Sequence, residues 1–245
     1  MTYCVGICVD DGLVMIADTR TNAGLDNVST YRKLRLFSVP GAKVIAVATA
    51  GNLSISQSVI SLLEEGLPHP ETGERERLID APSMFRAAQL VGRAIQTLNA
   101  ELGAALARAH VAADVTFLLG GQVAGEDMRL FMVYAAGNFI ECGPDTPFLQ
   151  IGEHKYGKPI LDRSITFGTG LHEALKLGLI SMDSTLRSNI GVGLPLDLVT
   201  VRRGALTPET TRRVETDDPY FRDLSDRWSA ALRAAHMAIP DPPYF

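Results

Sequence analysis

The first twenty residues, MTYCVGICVDDGLVMIADTR (residues 1–20), carry the strongest structural signal in the chain. Two runs rich in apolar and β-branched residues, YCVGICVD and LVMIADTR, flank the turn sequence DDG. This pattern predicts two antiparallel strands joined by a tight turn. Cys4 and Cys8 are four residues apart on the first strand, so we expect both thiols to be small buried groups on one face of a sheet.

Thr2 stands at the start of the first strand, and Met1 precedes it. Removal of Met1 would leave a threonine that holds a nucleophile and a base on one residue. Its hydroxyl attacks, and its α-amine, with a reference pKa near ~8, accepts the proton. An ordinary strand-starting threonine is the alternative, and the rest of the sequence has to distinguish the two.

Outward from this hairpin, blocks of strands and blocks of helices alternate. The pattern of residues 33–51 predicts a second hairpin. Residues 21–32 are predicted to form a loop, and residues 68–81 a charged connection. The later pattern predicts helices over 52–67, 82–109, 158–165 and 170–190, with strands over 114–123, 129–137, 138–143, 148–153 and 195–204. Strands, two helices, strands, two helices and a strand in that order predict an α+β fold, with two antiparallel sheets packed together and helices outside.

The chain is predicted to form a single domain over residues 1–245, in which residues 214–245 add a C-terminal helix and an extended tail. Trp228 shares one face of this helix with Leu224 and Leu232. That face packs either on its own subunit or on a neighbouring one.

Composition excludes several classes of protein. With 245 residues, 46% hydrophobic residues and a net charge of -5, the chain suits one well-cored domain and not a nucleic-acid binder. It has no apolar run of the roughly 18 residues that cross a membrane, and we read no signal peptide. Three cysteines without an export signal indicate reduced thiols and a cytoplasmic location. Neither the cysteines nor the scattered histidines show metal-ligand spacing, so no metal and no cofactor are expected.

Polar residues at strand ends suggest a chemical site beside Thr2. Asp18 ends the second strand and Lys33 opens the next, and each alone suits an ordinary turn or edge position. A lysine near a hydroxyl lowers the proton affinity of that hydroxyl, and an aspartate holds the lysine charged. Gly51, at the end of VIAVATAG, lets a backbone N–H face a developing oxyanion without an intervening side chain.

This set of residues resembles the proteasome β-subunit family, which belongs to the N-terminal nucleophile hydrolases. Members have an N-terminal threonine, then a V-x-x-A-D-x-R segment, a lysine and an A-G pair. Here these are Thr2, VMIADTR (residues 14–20), Lys33 and Ala50–Gly51, with the spacing to the lysine one residue shorter. The element order over residues 2–204 is similar too, which implies a four-layer αββα sandwich.

Within that family the chain is most similar to the bacterial group called Anbu. The similarity lies in KYGKPILDR (155–163), MDSTLRSN (182–189) and GLPLDL (193–198). A small residue in second place suits removal of Met1 by methionine aminopeptidase, in contrast to subunits that cleave their own pro-segment.

The resemblance implies a role for each matching residue. Thr2 would be the nucleophile, with its own amine as the general base. Lys33 would stabilise the alkoxide, Asp18 would orient Lys33, and Arg20 would brace the site. The Gly51 N–H would hold the oxyanion.

The resemblance also implies the substrate and the assembly. The segment around Asn22 and the strand ending at Gly51 would pair with an extended peptide through backbone hydrogen bonds. The subunits would form a homo-oligomer, either a ring or an open spiral, while the sequence specifies no partner ATPase.

The second half of the chain departs from the family pattern. Where the family has G-S-G, this chain has Gly152, Glu153 and His154, and where it has D-x-x-S-G, Ser188 or Asn189 replaces the aspartate. A buried carboxylate at Glu153 would raise the proton affinity of the threonine amine. Three functions therefore stay open: a threonine peptidase, an amidase acting on a non-peptide or modified-peptide amide, and a non-catalytic assembly subunit.

Overall fold

The computed structural model describes residues 1–22 and 28–244. Its strands are β1 (Tyr3–Val9), β2 (Gly12–Asp18), β3 (Arg20–Asn22), β4 (Val28–Thr30), β5 (Leu34–Val39), β6 (Lys43–Gly51), β7 (Leu67–Pro68), β8 (Arg75–Glu76), β9 (Val115–Val123), β10 (Arg129–Val133), β11 (Phe139–Glu141), β12 (Phe148–Gly152), β13 (Leu196–Arg202) and β14 (Thr210–Val214). Its α-helices are α1 (Leu53–Glu65), α2 (Met84–Arg108), α3 (Lys158–Ser164), α4 (Leu171–Ser188) and α5 (Pro219–Met237).

Two five-stranded sheets form the centre of the molecule. The first has the strand order β12-β1-β2-β13-β14 and the second has the order β11-β10-β9-β6-β5. Every strand pair in both sheets is antiparallel. The two predicted hairpins, β1–β2 and β5–β6, therefore form as expected, each in a different sheet.

Three apolar layers hold the sheets and helices together, one between the two sheets and one between each sheet and its helices. The inner strands are therefore buried on both faces. On β1, Tyr3, Val5 and Ile7 pack against side chains of α3 and α4, while Cys4 and Cys8 face the second sheet. The outer face of the second sheet packs on α1 and α2. The result is the predicted α+β, four-layer αββα sandwich with antiparallel sheets, and the predicted shared face of the two cysteines is confirmed.

Side-chain caps set where three of the helices begin. Asn52 accepts hydrogen bonds from the backbone N–H groups of residues 54 and 55 at the start of α1. Ser83 caps α2 in the same way, and Asp218 accepts from the N–H of Phe221 at the start of α5. These caps satisfy N–H groups that have no partner within the helix.

Two connections and one strand differ from the sequence prediction. The predicted loop over residues 21–32 includes β4 and most of β3, which pair with each other, although its Gly24 and Asn27 lie outside the described residues. The predicted charged connection over 68–81 includes part of the β7–β8 pair and a 3₁₀ turn, Leu78–Asp80, whose Leu78 is fully buried. The edge strand β14 was not predicted, because its TTRRV sequence lacks an apolar alternation.

The C-terminal helix α5 packs on α4 of its own chain. Leu224 is buried there and Trp228 contacts the same apolar cluster, while Leu232 is half exposed. Asp183 of α4 accepts a 2.6 Å hydrogen bond from the hydroxyl of Ser225 on α5. Asp183 therefore has a structural role within the subunit. Among the helices in the described part of the chain, we find none with the length and apolar character needed to cross a membrane.

Candidate active site

Thr2 is held at the edge of an open cleft by the pairing of β1 with β12. In that register Tyr3 lies opposite Gly152, and the carbonyl of Thr2 accepts a 2.7 Å hydrogen bond from the N–H of Glu153. Gly152 has a φ of 80°, and a Cβ on it would lie 2.0 Å from the Thr2 carbonyl oxygen. Only glycine allows this close approach. Thr2 lines a cleft of about 800 Å³ and is 9% exposed.

Asp18 lies fully buried at the end of β2 and accepts four hydrogen bonds. Its Oδ1 accepts from the N–H of Tyr3 at 3.1 Å and from Lys33 Nζ at 2.8 Å. Its Oδ2 accepts from the N–H groups of Arg20 at 3.2 Å and Gly193 at 3.3 Å. This carboxylate thus ties together β1, β2, the start of β5 and the segment before β13.

Lys33 is the link between this buried carboxylate and the cleft. Its side chain is 4% exposed and its Nζ donates to Asp18 and to the Arg20 carbonyl, at 2.6 Å, yet the residue lines the same cleft as Thr2. Burial raises the pKa of the Asp18 carboxyl, and the Lys33 ammonium and the backbone N–H groups counteract that effect. The arrangement fixes the Lys33 side chain in the wall of the cleft that Thr2 also lines.

Gly51 also lines the cleft, and the strand register fixes the direction of its N–H. Two residues earlier, the N–H of Thr49 bonds to the Lys33 carbonyl on the β5 side. Backbone groups two residues apart point to the same side, so the Gly51 N–H points past the end of β5 into the cleft. Its φ is 105°, and a Cβ there would lie 2.2 Å from the Asp114 carbonyl oxygen.

Arg20 supports the wall behind Asp18. Its Nη1 donates to the Ile190 carbonyl at 2.9 Å, and its guanidinium occupies the space that a Cβ on Gly193 would need. It therefore fixes the segment whose Gly193 N–H bonds to Asp18.

Glu153 and Asn189 meet beside Thr2, and Ser188 does not join them. Asn189 Nδ2 donates to Glu153 Oε2 at 2.9 Å, whereas Ser188 is an exposed residue at the end of α4. Lys155 Nζ lies 3.3 Å from the other oxygen of Glu153. Met1 precedes Thr2 in the sequence, so the Thr2 nitrogen becomes a free amine only once Met1 is removed.

The backbone of Asn22 lies on the edge of β3 that faces away from β4, its one paired strand among the described residues. Thr21 pairs with Ser29 of β4 and lines the cleft. The N–H and carbonyl of Arg20 face away from β4, toward Asp18 and Lys33. Asn22 is two residues further along the same strand. Its backbone groups therefore face away from β4 as well.

Sequence reasoning missed two backbone donors in this site, Tyr3 and Gly193, and it named Gly152 without its steric role. Tyr3 and Gly193 each supply a backbone N–H to Asp18, and Gly152 allows the approach of Thr2. The glycine signals were present, at the end of FLQIG and in GVGLP. A backbone donor such as Tyr3 leaves no signal in the residue type.

Comparison with solved structures places the chain among the proteasome-like hydrolases. Anbu (ancestral β-subunit) from Yersinia bercovieri is 42% identical, with a TM-score of 0.90 over 99% of this chain and 100% of that one. Anbu from Hyphomicrobium sp. strain MC1 is 47% identical, with a TM-score of 0.87 over 98% and 99% of the two chains. The subunit of the helical assembly of the Anbu complex from Pseudomonas aeruginosa is 46% identical, with a TM-score of 0.91 over 99% and 98%. The chain belongs to the Anbu family. No protein-family profile and no curated protein sequence matches it.

Proposed function

We propose that this protein is a threonine-type N-terminal nucleophile hydrolase that cleaves peptide bonds through Thr2 once Met1 has been removed. The observation that carries the proposal is the buried Asp18–Lys33 pair, whose lysine opens into the cleft that Thr2 and Gly51 also line. Burying two charges costs desolvation free energy, and replacing a buried ion pair with apolar side chains often leaves a protein equally stable. The presence of the Asp18–Lys33 pair therefore favours a role in chemistry over a role in stability.

The reaction would use groups within this cleft. The Thr2 hydroxyl attacks the substrate carbonyl while the Thr2 amine accepts its proton, and the Lys33 ammonium stabilises the developing alkoxide. The Gly51 N–H binds the oxyanion of the tetrahedral intermediate. The amine then returns the proton to the leaving group, and water hydrolyses the acyl-enzyme.

Substrate docking would use the two strand ends that border the cleft. The edge of β3 that faces away from β4, at Asn22, and the end of β6 at Gly51 would bind an extended peptide as an added strand. Removal of Met1 would follow from the small side chain of Thr2 in second place, which suits methionine aminopeptidase.

Glu153 favours a second candidate, an assembly subunit without activity. A carboxylate beside the amine would hold a proton there and weaken the amine as a base near neutral pH. An amidase acting on non-peptide or modified-peptide amides is the other alternative; it would share the Thr2 chemistry and differ from a peptidase only in its pocket.

We further propose that the subunits form a homo-oligomer, a ring or an open spiral, in the cytoplasm. The Pseudomonas aeruginosa relative was solved as a helical assembly. In this chain, large apolar side chains on and after α5 are exposed, among them Leu232, Met237 and Ile239.

The test is an intact-mass measurement before and after treatment with a threonine-directed epoxyketone or β-lactone. We expect Met1 to be absent and one adduct to form, and the Thr2→Ala variant should form none. Thr21→Ala is the matched control, because Thr21 lines the same cleft without the proposed chemistry. A peptide library and a set of non-peptide amides, assayed in parallel, separate peptidase from amidase. Retention of Met1, or a free Thr2 that no probe labels, would support the assembly subunit.

A further inference from the structure

Two cysteine thiols meet at the end of the sandwich away from Thr2. Cys8 lies six residues along β1 from Thr2, roughly 20 Å at the rise of an extended strand. Cys142 directly follows β11 of the opposite sheet, where its N–H donates to the Leu130 carbonyl at 3.0 Å. Both side chains pack in the apolar layer between the sheets and lie against the same stretch of chain, because the Cys8 thiol donates to the Met128 carbonyl at 3.8 Å and Cys142 is hydrogen-bonded to Leu130, two residues further on.

Small molecules can reach this thiol pair. Both cysteines line a second cleft, of about 880 Å³, together with Arg129, Glu141 and Arg203. Cys142 is partly exposed at this cleft and Cys8 is 6% exposed. A structural buried cysteine, in contrast, contacts only protein atoms, as Cys4 does at 0% exposure.

The surroundings favour Cys8 as the reactive member of the pair. The neighbouring Cys142 thiol lowers the pKa of the Cys8 thiol against the effect of burial, and the Arg203 guanidinium acts in the same direction while the Glu141 carboxylate opposes it. The thiolate is the nucleophilic form of cysteine, so Cys8 is the thiol that would attack first. Arg203 is held in place by hydrogen bonds to the carbonyls of Asp10 and Val9.

We propose that Cys8 and Cys142 are an oxidation site that forms a reversible disulfide between the two sheets when a peroxide enters the cleft. The Cys8 thiolate attacks one peroxide oxygen, the O–O bond breaks, and Cys8 becomes a sulfenic acid. Cys142 then attacks the Cys8 sulfur and displaces water. Overall, the two thiols lose two protons and two electrons, and one hydrogen peroxide becomes two waters.

The bond would have a structural consequence independent of Thr2 chemistry. It would close the chain from residue 8 to residue 142 and join β1 covalently to the segment after β11. Long loops gain most from closure in the chain-entropy model, so the oxidised protein should unfold at a higher temperature than the reduced one. In a reducing compartment, thiol exchange would reopen the bond.

The experiment treats the reduced full-length protein with increasing hydrogen peroxide and then denatures it for analysis. We expect the intact mass to fall by about 2 Da, the reactive thiols to fall from three to one, and a non-reducing peptide map to join Cys8 to Cys142. Dithiothreitol should restore all three thiols. The Cys142→Ser variant should lose the mass decrease and show oxygen addition at Cys8, whereas Cys4→Ser should keep it.

Other outcomes would overturn the proposal. These are three intact thiols after peroxide, a mass increase at Cys8 of the wild-type protein without a cross-link, a link between Cys4 and Cys8, or a link between two chains. If Cys142→Ser does not fold, the wild-type peptide map decides the question alone.

Discussion

The Asp18→Asn substitution tests the proposed centre of the site. The two Asp18 oxygens accept four hydrogen bonds, from Lys33 Nζ and from the N–H groups of Tyr3, Arg20 and Gly193. An asparagine has one acceptor oxygen, and its NH₂ would face at least one of these donors. It also leaves the Lys33 ammonium buried without a counter-charge.

The expected cost is large because both charges are buried, at 0% and 4% side-chain exposure. Removing one partner of a buried pair costs about 3–5 kcal/mol of unfolding free energy. For a chain of this size, 1 kcal/mol shifts the unfolding midpoint by about 2–4 °C, so we expect a decrease of roughly 6–20 °C. The Thr2 probe should also label this variant far more slowly, because Lys33 is no longer fixed in the wall of the cleft.

The assay is thermal unfolding, compared with the same substitution at an exposed ion pair. Asp162 pairs with Lys158 on α3, and their side chains are 46% and 48% exposed. Such a pair contributes about 0–1 kcal/mol, so Asp162→Asn should shift the midpoint by less than about 4 °C. Equal midpoints for the two variants would refute the reasoning, as would normal labelling in a folded Asp18→Asn protein.

Three further predictions concern neighbouring positions. Burial raises the pKa of Tyr3 to about 12, above the ordinary value near 10, so the stability that its neutral form provides is complete below pH 10 and is lost as the pH rises toward 12. Denaturant unfolding should show a loss of about 1 kcal/mol by about pH 11 that Tyr3→Phe lacks, and parallel pH profiles would contradict this. Gly51→Ala should lower the unfolding midpoint more than Gly41→Ala, because both glycines have a positive φ but only the first has a carbonyl oxygen 2.2 Å from the new Cβ. Equal midpoint decreases would remove the steric argument. Glu153→Gln should move the pH midpoint of Thr2 labelling downward, because a carboxylate near the amine is lost. An unchanged labelling profile would mean that this carboxylate does not act on the amine.

Periodicity predicted most of the fold because the central strands and helices are long and strongly apolar. β1 and β2 are buried on both faces, and α1 and α2 begin at recognisable caps, Asn52 and Ser83. The elements that were missed are short or polar. β14 is stabilised as an edge strand by pairing with β13 and by the Arg213–Asp197 ion pair, which are contacts that a local pattern does not contain.

Sequence reasoning named the side chains of the candidate site and the Gly51 backbone, and it missed the backbone donors Tyr3 and Gly193. Thr2, Lys33 and Gly51 line one cleft, and Asp18 lies behind Lys33, as the spacing suggested. The choice between Ser188 and Asn189 needed the structure, because the end of α4 decides which residue turns toward Glu153. The donors to Asp18 depend on strand register, which long-range pairing determines.

The strand order of the first sheet has a consequence for biosynthesis. β1 lies between β12 and β2, and β2 lies between β1 and β13, so the amino-terminal hairpin is flanked by strands from the second half of the chain. As the polypeptide leaves the ribosome, Thr2 emerges before the strands that surround it, and the first sheet is complete around the hairpin only after residue 202, the end of β13, has been translated. Excision of Met1 during translation would therefore act on an unfolded tail, and the nucleophile would be chemically mature before the cleft that uses it exists.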